Sequence, residues 1–223
     1  MQISFSHKFI FIHVQRTAGG SLIYALRPYE HRAPVTRWNK QLSRAGLRRD
    51  PMKISIRTHE TAAKVRRLMP DGMYEEFFSF AFVRNPYSWL VSEFEVVRQN
   101  PDHRHYRFLV KMKDFREYVD WEVKRAKRYQ YPLVTDDDGQ IMVNFIGRFE
   151  HLRDDYEKVC DRLDLPSMET LPHKHKRTPK DYRDYYDEDT KALVAEYWSK
   201  DIELFAYDFE GLTDRANRNG GAS

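Results

Sequence analysis

Hydrophobic and polar positions along the chain change period several times, and two strongly apolar runs dominate the pattern. The first lies within Lys8–Val14 (KFIFIHV) and the second is Phe77–Val83 (FFSFAFV). Neither leaves alternate positions for water, which suits central parallel strands covered on both faces. KISIR at Lys53–Arg57 reads as a shorter strand, and DDDGQ at Asp136–Gln140 as a turn before another, Ile141–Phe149. Helical spacing opens at Ser21–Leu26 and recurs at Thr61–Met69, which ends on the Pro70-Asp71-Gly72 turn. A helix from Pro86 towards Gln99 follows the second apolar run, with proline in its first turn. Phe108–Tyr129 reads as one long charged amphipathic helix, Asp154–Leu163 as a helix stopped near Pro166, and Thr190–Trp198 as a helix leading to Ile202–Tyr207. Arg37–Asp50 is polar and arginine-rich, a loop or a short helix, and Leu171–Lys180 is a basic loop.

Alternation of strands and helices predicts an α/β fold, a three-layer arrangement with a central parallel sheet flanked by helices and ligand loops at the carboxyl ends of the strands. The 223 residues are expected to form one domain over residues 1–212, with 213–223 as a flexible tail.

The segment after the first run, Arg16-Thr17-Ala18-Gly19-Gly20-Ser21, carries no large side chain between its arginine and its serine. Small residues let backbone close around a polyanion, and the N–H groups that begin the next helix point at it. A phosphate or sulfate group is the expected ligand. The spacing differs from G-x-x-x-x-G-K-[ST], since the cation precedes the glycines, and no G-x-G-x-x-G occurs. Read alone, the turn is equally compatible with a helix start bound only to water.

Charge supports an anionic ligand through its distribution. Lys and Arg outnumber Asp and Glu by 38 to 34, for a formal +4 and a pI near 9.0. The excess is concentrated between Arg32 and Arg67, where eleven Lys/Arg face two acids, Asp50 and Glu60. No nucleic-acid reader motif accompanies it. The single cysteine, Cys160, excludes an intrachain disulfide and sits in a helical pattern as a buried, inert thiol. With no membrane-length apolar run and no signal-peptide pattern at its start, the chain is expected to be soluble and cytoplasmic.

A second constellation, FAFVRNPYSWLVSEF, places Arg84 at the end of a strand and Ser92 two turns into the following helix. A guanidinium and a hydroxyl there can share the oxygens of one phosphate. The alternative is an Arg84–Glu93 pair with Ser92 as packing. Among the nine histidines, His59 follows the KISIR strand at the ligand edge, where an imidazole could act as a base or simply lie exposed before a helix. His13 reads as a core or supporting residue. His103-x-His105 and His173-x-His175 lack the further ligands a tetrahedral metal needs, and no metal is expected.

Together FIHVQRTAGGSL and FVRNPYSWLVSEF resemble the 5′-phosphosulfate loop and the 3′-phosphate site of sulfotransferases that use 3′-phosphoadenosine 5′-phosphosulfate (PAPS) and release 3′-phosphoadenosine 5′-phosphate (PAP). The resemblance is to the carbohydrate class that includes heparan sulfate 2-O- and 6-O-sulfotransferases. It extends to DGQIMVNFIGRFEHLRDDYEKVCDRLDLP and LPHKHKRTPKDYRDYYDEDTKALVAEYWSKDIELFAYDF, in order from about Phe9 to Phe209. It implies a P-loop-like sheet and an enzyme that moves a sulfuryl group to a hydroxyl of a saccharide or glycoconjugate. His59 matches the family's catalytic histidine. Arg16 stands where the family has lysine, against the phosphosulfate bridge, and Thr17, Ala18, Gly19, Gly20, Ser21 and Leu22 match the cradle. Arg84 and Ser92 match the 3′-phosphate ligands, and Lys176 and Arg177 of the late loop are candidates for the nucleotide's 3′-phosphate or for an anionic acceptor. Arg57 and Arg148 are candidates for the acceptor. A sulfuryl group carries less charge than a phosphoryl group, so arginines and helix N–H groups suffice without magnesium. A phenolic or other small acceptor, a phosphoryl-transfer enzyme and a non-catalytic anion-binding protein are the alternatives. No nucleic acid and no membrane insertion are expected.

Overall fold

The structure is a computed structural model and describes residues 1–30, 37–45, 57–125, 128–166 and 180–213, except the side chains of 39, 40, 43 and 44. It falls into two compact units, Met1–Val83 with Gln130–His175, and Arg84–Tyr129 with Lys176–Ser223.

The first unit holds a four-stranded sheet in the order β1 (Gln2–Ser4), β2 (Phe9–Ile12), β3 (Phe78–Val83), β4 (Phe145–Arg148). β2 pairs parallel with β3 from Phe9↔Phe78 to Ile12↔Ala81, and β3 pairs parallel with β4 from Phe80↔Phe145 to Val83↔Arg148. All of β2 is buried, as the strongly apolar runs require. Phe9, Phe11, Phe80 and Phe82 share one face and pack with Leu22, Ala25 and Leu26 of α1 (Gly19–Leu26) and with Tyr156, Val159 and Cys160 of α9 (Leu152–Leu163). Cys160 is therefore a buried thiol, and burial pushes its pKa up.

Three differences from the sequence reading have local causes. β1 is an antiparallel edge strand, Gln2↔Phe11 to Ser4↔Phe9, in an otherwise parallel sheet. Its polar residues Gln2 and Ser4 are buried, Gln2 Nε2 donating to Ile23 O at 3.0 Å, so no apolar run marked it. The strand expected over 141–149 is confined to β4. Ile141 instead bridges Thr135, and Asn144 extends the ladder with its side chain, Oδ1 accepting from Ser79 N at 2.8 Å. KISIR lies outside the described residues, Arg57 apart. α2 (Arg37–Arg44) answers the loop-or-helix question for its range. α3 (Ala62–Leu68), α4 (Met73–Glu76) and α8 (Tyr131–Val134) complete the unit's helices among the described residues.

The second unit is helical, with α5 (Pro86–Arg98), α6 (Tyr106–Leu109), α7 (Phe115–Arg125), α10 (Glu188–Tyr197) and α11 (Ser199–Leu204). Its own core gathers Leu90, Phe94, Phe115, Tyr118, Val194 and Trp198. The single helix expected over 108–129 is broken before α7. Asp114 Oδ1 accepts from Glu117 N at 3.0 Å and Glu117 Oε2 from Lys113 N at 2.9 Å, a reciprocal cap that starts a new helix.

A buried ion network pins this unit. Arg128 donates from Nη1 to Glu93 Oε1 at 2.7 Å and from Nη2 to Glu122 Oε1 at 2.6 Å, with both carboxylates almost wholly buried. Trp198 Nε1 donates to the Arg128 carbonyl at 3.0 Å. Removing one partner of such a group leaves uncompensated buried charge. Arg128→Ala is expected to lower unfolding free energy in urea by about 3–5 kcal/mol. A loss below about 1 kcal/mol, the range of exposed pairs, would show that water reaches the two glutamates.

Candidate active site

β2 stops at Ile12, and residues 13–18 carry the chain into α1 through two left-handed residues, Arg16 at φ 61° and Ala18 at φ 60°, ψ 18°. Such backbone costs a non-glycine residue on the order of 1 kcal/mol or more, so surrounding contacts hold it. Thr17, fully buried, supplies one, its Oγ1 donating to Val14 O at 2.9 Å. Ala18 O then accepts from Ser21 N at 2.9 Å and Leu22 N at 3.1 Å, which starts the helix. Left-handed residues on both sides of Thr17 form the kind of backbone nest that holds anions, and α1 adds N–H groups with no helical acceptor before them. Leu22 itself faces the core.

The two glycines are not equivalent. A Cβ on Gly19 would lie 1.7 Å from His13 Nε2, so α1 reaches the end of β2 only because that position has no side chain. A Cβ on Gly20 would meet nothing within 4 Å, and this residue is exposed. The turn therefore has open space at Gly20 and a packed floor at Gly19.

His13 and His59 meet in this unit. His59 lies two residues before Thr61, whose Oγ1 caps α3 by accepting from Lys64 N at 3.2 Å. Its Nδ1 is 3.0 Å from His13 O. A carbonyl only accepts, so Nδ1 carries a proton, and in the neutral ring Nε2 keeps the lone pair. The two rings lie 4.5 Å apart between centroids, and His59 is exposed. Burial, joined by the Met1 amine and His59, pushes the His13 pKa down to about 3, so His13 is neutral. Arg57 is exposed two residues before His59. Arg148 ends β4 level with Val83, at the same sheet edge where β2 ends, and its N–H donates to Asp155 Oδ2 at 2.7 Å. Lys176 and Arg177 lie outside the described residues.

In the second unit Arg84 follows β3 directly, and α5 begins with Asn85 as its cap, Oδ1 accepting from Tyr87 N at 3.0 Å, and Pro86 in its first turn. Arg84 Nε donates to Ser88 Oγ at 2.9 Å, and Ser88 Oγ donates to Asn85 O at 3.2 Å. Glu93, the alternative partner, binds Arg128. Ser92 lies half-buried one turn beyond Ser88. Ser88 was not singled out by sequence reasoning; the i, i+4 spacing from Arg84 across a capped helix start is the signal that could have found it. His105 is drawn into other work, its Nε2 facing Arg125 Nη1 at 2.7 Å. Among the described residues no three His, Cys, Asp or Glu gather as metal ligands, and no helix is long and apolar enough to cross a membrane.

The model of the sulfotransferase family matches residues 1–208. The chain belongs to the sulfotransferase family. It is thus a member of an enzyme family, and its sheet is shared with a solved relative. The crystal structure of mouse sulfotransferase SULT7A1 complexed with PAP is similar over 99% of this chain and 91% of that chain, with a TM-score of 0.54 and 13% identity. At that identity the likeness is one of fold. A search of the curated proteins finds no match.

The glycine geometry of this sulfotransferase separates two substitutions that look alike in sequence. Gly19→Ala is expected to cost about 1–3 kcal/mol, because the His13 ring must move. Gly20→Ala should be neutral or stabilise folding by about 0.5–1 kcal/mol through helix propensity. Paired urea unfolding curves check both. Equal effects would mean that the His13 contact does not constrain α1.

Proposed function

We propose that the protein is a PAPS-dependent sulfotransferase acting on a hydroxyl of a saccharide or glycoconjugate, with His59 as general base. Family membership supports the reaction class, and the PAP bound in the mouse relative supports the cosubstrate. The observation that carries the catalytic assignment is the His59 Nδ1–His13 O hydrogen bond. It leaves His59 Nε2 as the proton acceptor, in a residue exposed to an incoming alcohol.

PAPS supplies a sulfuryl group and a phosphate leaving group. His59 Nε2 takes the acceptor hydroxyl proton as the oxygen bonds to sulfur and the bond from sulfur to the bridging oxygen breaks. Arg16, the N–H groups of 17–20 and the Ser21 hydroxyl stabilise charge on the departing phosphate oxygen, where stabilisation specific to the transition state is needed. Arg16 is permanently protonated and donates no proton, so its part is electrostatic. Arg84 and Ser92 take the 3′-phosphate, and Ser88 holds the Arg84 guanidinium by its Nε edge. Arg57 and Arg148 face the acceptor, and Lys176 and Arg177 add nucleotide contacts. The arginine-rich stretch from Arg32 to Arg67 supports an anionic saccharide over a neutral phenol.

PAP is expected to stabilise the protein by about 2.7 kcal/mol at a hundred times its Kd, read as a rise in Tm. No shift with PAP, or an equal shift with ATP that requires magnesium, would remove the cosubstrate assignment. With PAPS and a panel of glycans and phenols, His59→Ala should lose about 10²- to 10⁴-fold in turnover on the glycan acceptor while PAP binding is retained. Transfer to phenols alone would replace the acceptor class, and equal loss of binding and turnover would mark His59 as structural.

A further inference from the structure

We propose that His13 is a positioning residue for the base: its carbonyl fixes the proton on His59 Nδ1, and its ring, seated against Gly19, holds the His59 ring beside the anion turn. The proposal rests on the reading of His59 as the base. Three contacts converge on His13. Its main-chain oxygen takes the His59 proton at 3.0 Å, its ring lies 4.5 Å from the His59 ring, and its Nε2 fills the space a side chain on residue 19 would occupy. A strand end, a helix start and the catalytic loop are thereby joined through one side chain.

The ring's own chemistry fits this role. His13 Nδ1 is buried and has no hydrogen-bond partner among the described residues. Burial keeps it neutral, with its pKa down at about 3. When His59 accepts a proton it becomes an imidazolium beside a neutral neighbour rather than a second cation, and its Nδ1–H bond to the carbonyl becomes charge-assisted. A base held this way presents Nε2 without first choosing between tautomers. Gly19 opens α1 directly after the turn that holds Arg16, so any movement of the turn reaches the base through the His13 ring.

Imidazole ¹⁵N correlation spectra of the full chain at mildly alkaline pH test this without relying on turnover. In the parent protein His59 is expected to carry its proton on Nδ1 alone, and His13→Phe, which keeps the bulk, should preserve that state. His13→Ala and Gly19→Ala should give mixed tautomers, with kcat down about 10- to 100-fold, as expected for a displaced catalytic group. PAP affinity of His13→Ala should be unchanged. A parent His59 with its proton on Nε2 would overturn the proposal, as would His13→Ala keeping the parent tautomer and turnover. The first of these needs no variant to fold. Full turnover in His59→Ala would overturn the base reading, and with it the functional part of this proposal, while the tautomer result would still report the His13 contact.

Discussion

Because β2 and β3 are buried on both faces, water cannot serve their backbone N–H and C=O groups, and each strand must find its partners in its neighbours. That obligation sets the register from Phe9↔Phe78 to Ile12↔Ala81 and carries it on to Val83↔Arg148. Parallel strands also need long crossovers, since no hairpin can join them. The crossover from β2 to β3 contains the turn at 13–18 and His59, and the one from β3 to β4 begins at Arg84. Within the first unit, the turn at 13–18 follows β2 at the sheet edge where Arg148 ends β4. A loss of parallel pairing would disperse these groups even if every local turn survived.

Much of this was legible because it depends on short-range rules. Strongly apolar runs announced β2 and β3, and Asn85-Pro86 announced the start of α5. What was not legible depends on partners distant in sequence or on a single side-chain bond. β1 has only three residues and buries Gln2 and Ser4, so hydrophobicity could not reveal it. The Asp114–Glu117 cap was present as D-x-x-E, but the amphipathic period on both sides masked the break. Gly19 and Gly20 are interchangeable as letters; only the His13 ring, six residues earlier and just past β2, distinguishes them. His13 read as core or support from its position, and its carbonyl contact with residue 59 spans 46 residues, beyond any local pattern.

In the proposed mechanism, an arginine at position 16, where the resemblance implies a lysine, changes how protons can be shared in the reaction. A lysine ammonium could in principle give its proton to the leaving oxygen, whereas a guanidinium with its very high pKa keeps it. In the proposed mechanism the leaving phosphate therefore departs as an anion stabilised in place by Arg16 and backbone N–H groups, and the only proton that moves is the acceptor's. All protonation changes then fall on His59, which makes the form of that one ring more consequential than in a site with two exchanging groups. This is the physical reason a neutral His13 matters. With the His13 ring kept neutral by burial, no second cation stands 4.5 Å from the His59 ring when the proposed base takes up its proton.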